Sequence, residues 1–146
     1  MSNLTIGVDL GGTNTRAGLL NENGEILGRG RRTTPLSEGS DAVVKGIADC
    51  VRDAAKDACV SLEDLDGVGV GAPGPLDPYE GVIISPENLQ CMHGVQLKDK
   101  LEVILGAVIL LWMMKTTTRM KNYLLYLRFG LMKLSQPGLI MIKLSL

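Results

Sequence analysis

Residues Leu4 to Asp9 form a short, β-rich run of alternating hydrophobic and small or polar positions, which ends at Gly11-Gly12-Thr13. This is the pattern of a strand running into a tight turn. Thr15 to Leu20 reads as a second strand. Asn23-Gly24, a strong hairpin signal, leads into a third over Glu25 to Arg29. The opening is therefore expected to be a three-stranded antiparallel meander. After a loop around Pro35, a helix is predicted from Asp41 to Cys59. Ser40 is its expected N-cap, and Val44, Ile47, Ala48, Val51, Ala54, Ala55 and Ala58 recur on one face as core.

Gly67 to Gly71 reads as a tight strand of small residues. It stops at Ala72-Pro73-Gly74-Pro75, where two prolines forbid a helix. Another short strand is expected over Gly81 to Ser85, and a helix over Leu97 to Leu105. Strands, a helix across them and further strands make an α/β lobe. Beyond it, Val103 to Met114 is an uncharged stretch, shorter than the ~18–20 residues of a membrane-spanning helix. Tyr123 to Leu127 is compatible with a strand or a helical turn.

Charge divides the chain. All 16 acidic residues lie at or before Glu102, whereas 6 of the 15 lysines and arginines follow it. The first part is thus −7 (9 − 16) and the last 44 residues are +6, for a net charge of −1. A solvated surface normally mixes both signs, so the chain changes regime near Val103. The division expected is a lobe over residues 1–106 and an atypical basic, apolar tail over 107–146. The totals point to neither nucleic acid nor an anionic membrane. Three cysteines without a C-x-x-C pair argue against a disulfide framework and a structural zinc site. With no signal-peptide pattern at the start, a cytoplasmic protein is expected.

The most informative stretch is Asp9-Leu10-Gly11-Gly12-Thr13-Asn14-Thr15-Arg16. Paired glycines let backbone N–H groups approach phosphate oxygens closely. A carboxylate at the strand end repels phosphate itself but can orient Mg²⁺ through water. The plainer reading is a hairpin with an acidic residue near its turn. A Walker A loop is excluded, because no Gly-Lys-Ser/Thr follows and the next element is a strand. Gly69, Gly71 and Gly74 satisfy a formal G-x-G-x-x-G, yet Pro73 and Pro75 prevent the helix that a dinucleotide site requires. A rigid, side-chain-poor ledge at a strand end is the better account. Arg16 is compatible with phosphate binding or with an ordinary strand surface. His93, the single histidine, reads as a surface residue, and Asp77, Glu80 and Glu87 as a solvated acidic loop.

Asp9-x-Gly-Gly-Thr-Asn with an arginine two residues on, then Gly71-Ala-Pro-Gly-Pro-Leu-Asp77, then Asn88-Leu89, resembles the N-terminal lobe of the ROK family of sugar kinases, closest to its glucokinases. The resemblance spans residues 4 to about 106. It implies the N-terminal lobe of an actin-like ATPase (ribonuclease H-like) fold and ATP-dependent phosphorylation of a hexose, glucose to glucose 6-phosphate. By the same comparison Asp9, Gly11, Gly12, Thr13 and Asn14 belong to the ATP side, with Asp9 serving Mg²⁺ through water. Gly74 and Asn88 lie near the sugar. Family members commonly form homo-oligomers.

Departures from the family begin near Leu105. The helix there leads, in the family, to a strand ending in Asn-Asp-Ala-Asn, whose aspartate takes the proton of the attacking hydroxyl. Here the stretch is Ala107 to Lys115: strand character persists without a carboxylate. The second phosphate motif, the adenosine pocket and the His/Cys zinc cluster have no counterpart either. Arg119 to Leu127 only faintly echoes the strand that precedes the second phosphate motif. The expectation is a truncated or frame-disrupted kinase product; the alternative is a non-catalytic sugar- or partner-binding module whose tail docks a protein or membrane. A family repressor is disfavoured, because only eight residues precede Asp9, too few for a helix-turn-helix region.

Overall fold

The computed structural model describes residues 3–114. The readings made above for the tail beyond Met114, including the docking role and Tyr123 to Leu127, lie outside the described residues.

Five strands build the principal sheet: β1 (Thr5–Leu10), β2 (Asn14–Leu20), β3 (Ile26–Thr33), β4 (Gly67–Pro73) and β8 (Ile109–Met114), in the order β3-β2-β1-β4-β8. The first three are the expected antiparallel meander, while β4 pairs parallel to β1 and β8 parallel to β4. Between β4 and β8 lie three two-residue strands, β5 (Leu76–Asp77), β6 (Val82–Ile83) and β7 (Val95–Gln96), which form a second small sheet. The strand expected over Gly81 to Ser85 is thus reduced to β6, because Gly81 has φ +72° and turns the chain into it.

Helix α1 (Ser40–Asp57) packs across β2 and β3, and α2 (Leu97–Leu105) lies beside α1 and β8. Alternation along the strands sends Ile6, Val8, Leu10, Val68, Val70 and Ile109 into the core. From α1 come Val43, Val44, Ile47, Ala48, Cys50, Val51, Ala54 and Ala55, and from α2 Leu97, Leu101 and Leu105. The predicted face of α1 is the buried one, with Ala58 only half-buried at its end. The cap differs from expectation. Ser40 is already helical and Gly39 is the N-cap, with φ +92° and no side-chain hydrogen bond. The left-handed backbone at that position suits glycine rather than serine.

α1 approaches β3 unusually closely. A Cβ on Gly28 would stand 2.2 Å from the Ala54 carbonyl oxygen, and one on Gly30 2.2 Å from that of Cys50. The contact is sealed by Arg32, whose Nε and Nη2 donate to both carboxylate oxygens of Asp53 at 2.7 and 3.0 Å. Arg52 of α1 donates to the carbonyl of Ile104 at 3.2 Å, placing a cation where the α2 dipole is negative. Together these contacts hold β3 and α2 against α1.

Candidate functional site

Asp9 sits one residue before the end of β1, opposite Arg16 of β2 and beside Gly71 of β4. It is half-buried, and among the described residues its carboxylate has no hydrogen bond or ion pair. Burial pushes its carboxyl above the usual carboxylate range, while the positive charge of Arg16 partly opposes that shift. An acid held this way is short of a cationic partner. A single carboxylate is also what water-mediated Mg²⁺ binding at the end of a strand requires, so Asp9 fits the expected ion. Among the described residues no group of three or more His, Cys, Asp or Glu side chains could hold a metal directly.

The turn is closed by Gly11, whose N–H donates to the Asn14 carbonyl at 3.1 Å. A Cβ on Gly11 would stand 2.8 Å from that same oxygen, so a side chain is excluded there. Gly12 and Thr13 form the tip, with Thr13 exposed, and Asn14 begins β2. A Cβ on Gly12 would come within 3.2 Å of the Asn88 carbonyl oxygen. Residues assigned to two different ligands from the sequence are therefore neighbours in space. Gly74 follows β4 on the same side as Asp9, and the Gly74–Pro75 peptide bond is cis. Beyond it the Pro75 carbonyl accepts from the N–H groups of Ile84 and Ser85 at 2.9 and 3.4 Å.

Buried Thr34, whose role the sequence did not reveal, holds the hairpin from below. Its Oγ1 donates to the Gly11 carbonyl at 2.7 Å and lies 3.0 Å from Oγ1 of buried Thr15, and its N–H donates to the Thr13 carbonyl at 2.9 Å. Cys50 of α1 extends the network, its Sγ donating to the Thr15 carbonyl at 3.5 Å. Burial pushes that thiol up to about 11, so it stays protonated and able to donate. Asp77 organises its own turn, with Oδ1 accepting from the N–H groups of Tyr79 and Glu80. His93 is exposed, as expected.

The combination of an antiparallel meander, a two-glycine turn after a strand-end carboxylate and a parallel extension defines the N-terminal lobe of an actin-like ATPase. The sequence profile of the ROK family matches residues 5–111, and the chain belongs to that family. A glucokinase from Thermotoga maritima is 35% identical over 96 residues, which are 66% of this chain and 29% of that protein. A ROK hexokinase from Thermus thermophilus superposes with a TM-score of 0.67 at 30% identity, over 77% of this chain and 35% of the other. A ROK family glucokinase from Streptomyces griseus, solved with glucose and AMPPNP, gives a TM-score of 0.66 at 31% identity, over 75% of this chain and 32% of its own. The chain thus spans about a third of the length of these relatives. Among the described residues no helix is long and apolar enough to cross a membrane.

Proposed function

We propose that this lobe grips the phosphates of ATP for transfer to a hexose hydroxyl, with glucose as acceptor and glucose 6-phosphate as product. The observation that carries the reading is Asp9, a half-buried carboxylate with no hydrogen bond or ion pair among the described residues, at the lip of a two-glycine turn. In this role the N–H groups around Gly12 and Thr13 meet phosphate oxygens, and Asn14 orients the turn. Asp9 holds the waters of Mg²⁺, and bound Mg²⁺ would neutralise phosphate charge during transfer. Gly74 and Asn88 border the sugar. The contact between Gly12 and Asn88 lets one lobe register donor and acceptor against each other.

Phosphoryl transfer further requires a carboxylate base, and no Asp or Glu occurs in residues 103–146. The 146-residue chain given MgATP and glucose is therefore expected to form no glucose 6-phosphate above background. A chimaera carrying residues 1–106 in place of the matching lobe of a ROK glucokinase is expected to be active. A folded chimaera that binds glucose yet turns over no ATP would contradict the assignment.

A further inference from the structure

β3 is an outer strand of the principal sheet, with β2 on one side and, among the described residues, no strand on the other. Thr34, just past β3, turns its N–H inward to the Thr13 carbonyl at 2.9 Å. Arg29 turns its N–H the other way, to Oδ2 of Asp57 on α1 at 2.9 Å. Antiparallel pairing alternates these directions, so Arg31 and Thr33 also present their N–H groups outward. Both residues are exposed, and among the described residues neither N–H has an acceptor. Asp57 thus closes one end of the edge with a carboxylate, and the next two donors stay open.

Side chains along this edge carry a sign. Gly28 and Gly30 point at α1, and so does Arg32, which Asp53 and Asp49 neutralise. Alternation places Arg29 and Arg31 on the opposite face. Register sets Asp9, Arg16 and Arg31 in one row across β1, β2 and β3, and Asp9 opposes Arg16 directly. Arg29 and Arg31 are exposed, and among the described residues neither guanidinium has a hydrogen bond or ion pair. No acid occurs in β2 or β3 to serve them. On the α1 side the edge borders a groove of about 380 Å³ with Ala42 and Gly46 in its lining. Lys45 and Asp49, which also line it, already pair with each other at 2.8 Å.

We propose that the outer edge of β3 takes an acidic, extended peptide segment of a partner protein as a further strand. Backbone carbonyls of that segment accept from the N–H groups of Arg31 and Thr33, as the Asp57 carboxylate accepts from Arg29. Carboxylates at alternate positions of the segment face Arg29 and Arg31. The residues between them turn small side chains toward the groove beside Ala42 and Gly46. A second copy of this chain fits poorly, because β3 against β3 brings the arginines of both copies together. The last 44 residues of the chain hold no acid and cannot supply the carboxylates. A nucleic acid has no amide ladder to match the edge, and β2 and β3 offer its bases no aromatic side chain.

The test titrates the isotope-labelled 146-residue chain with a short synthetic peptide that alternates glutamate with threonine. The expected result is saturable binding, with slowed hydrogen exchange at the amides of Arg31 and Thr33. N-methylation of the glutamate residues keeps the charge but removes the donors that face β3, and should lower affinity roughly tenfold or more. The double variant Arg29→Gln/Arg31→Gln should weaken binding of the parent peptide while retaining its melting temperature, and a peptide with lysine for glutamate should not bind. Equal binding of the methylated peptide would overturn strand addition, and equal binding of the lysine peptide would overturn the acidic partner. A peptide that leaves the unaltered chain unmoved sinks the proposal outright. So does protection of both amides before any peptide is added, since a second copy or the chain's own tail would then hold the edge.

Discussion

Gly12, at the tip of the first hairpin, lies against the backbone of Asn88 so closely that a Cβ on the glycine would stand 3.2 Å from the Asn88 carbonyl oxygen. The residues are far apart in sequence, yet their contact joins the turn between β1 and β2 to the loop before β7. A methyl group at Gly12 requires that loop to give by a few tenths of an ångström. At Gly11 it meets the Asn14 carbonyl at 2.8 Å, inside the turn's own hydrogen bond. Gly11→Ala is therefore expected to cost about 1–3 kcal/mol and Gly12→Ala clearly less, in urea denaturation. Equal costs would mean that the turn is looser than its geometry indicates.

Thr34 ties the turn to the sheet through one hydroxyl. Thr34→Val preserves shape but leaves the Gly11 carbonyl and the buried Thr15 hydroxyl short of a partner. The expected loss is about 1–3 kcal/mol, accompanied by faster amide exchange in residues 11–14. Thr34→Ser should recover most of both. A valine variant as stable and as protected as the parent would remove Thr34 from the support of the site.

Gly30 tests the seam between β3 and α1. Alanine there must displace the backbone of Cys50, whose carbonyl oxygen is 2.2 Å from the new Cβ, and a loss of about 3 kcal/mol is expected. Gly39→Ala meets no atom within 4 Å and bears only the strain of φ +92°, so about 1 kcal/mol is expected. Thermal melts of the two variants should rank in that order.

Burial raises the folded-state pKa of Asp9 above its ordinary value. The folded state therefore binds this proton more tightly than the unfolded chain does. Sign follows directly: this residue's contribution to stability is best at low pH and falls as pH rises from the ordinary carboxylate value through the raised one. Asp9→Asn removes that penalty, so the variant should gain stability relative to the parent at pH 7 and lose the gain near pH 3. A variant less stable than its parent at pH 7 would show that Asp9 has a structural partner after all.

Much of this was legible in the chain itself. The meander, the apolar face of α1 and the extent of α2 follow from periodicity, because one-sided burial imposes it. The glycines around Asp9 were legible because few residue types tolerate such a turn. Other features leave no local mark. Strands β5 and β7 are two residues long, too short for alternation to register. Ser40 precedes a helical run as a cap would, but Gly39 takes the cap because the chain enters with positive φ. Thr34 acts across a separation of 23 residues, and the row from Asp9 through Arg16 to Arg31 exists only once the strand register is set.

The central claim is that the turn at Gly11 to Asn14 meets the phosphates of a nucleotide. Its most direct test is to titrate the isotope-labelled chain with MgATP while following backbone amide resonances, in parallel with Asp9→Asn. The account predicts that the amides of Gly11, Gly12, Thr13 and Asn14 shift together and saturably, and that the response weakens sharply in the variant. Unmoved hairpin amides at saturating nucleotide, or an identical response without the Asp9 carboxylate, would contradict it.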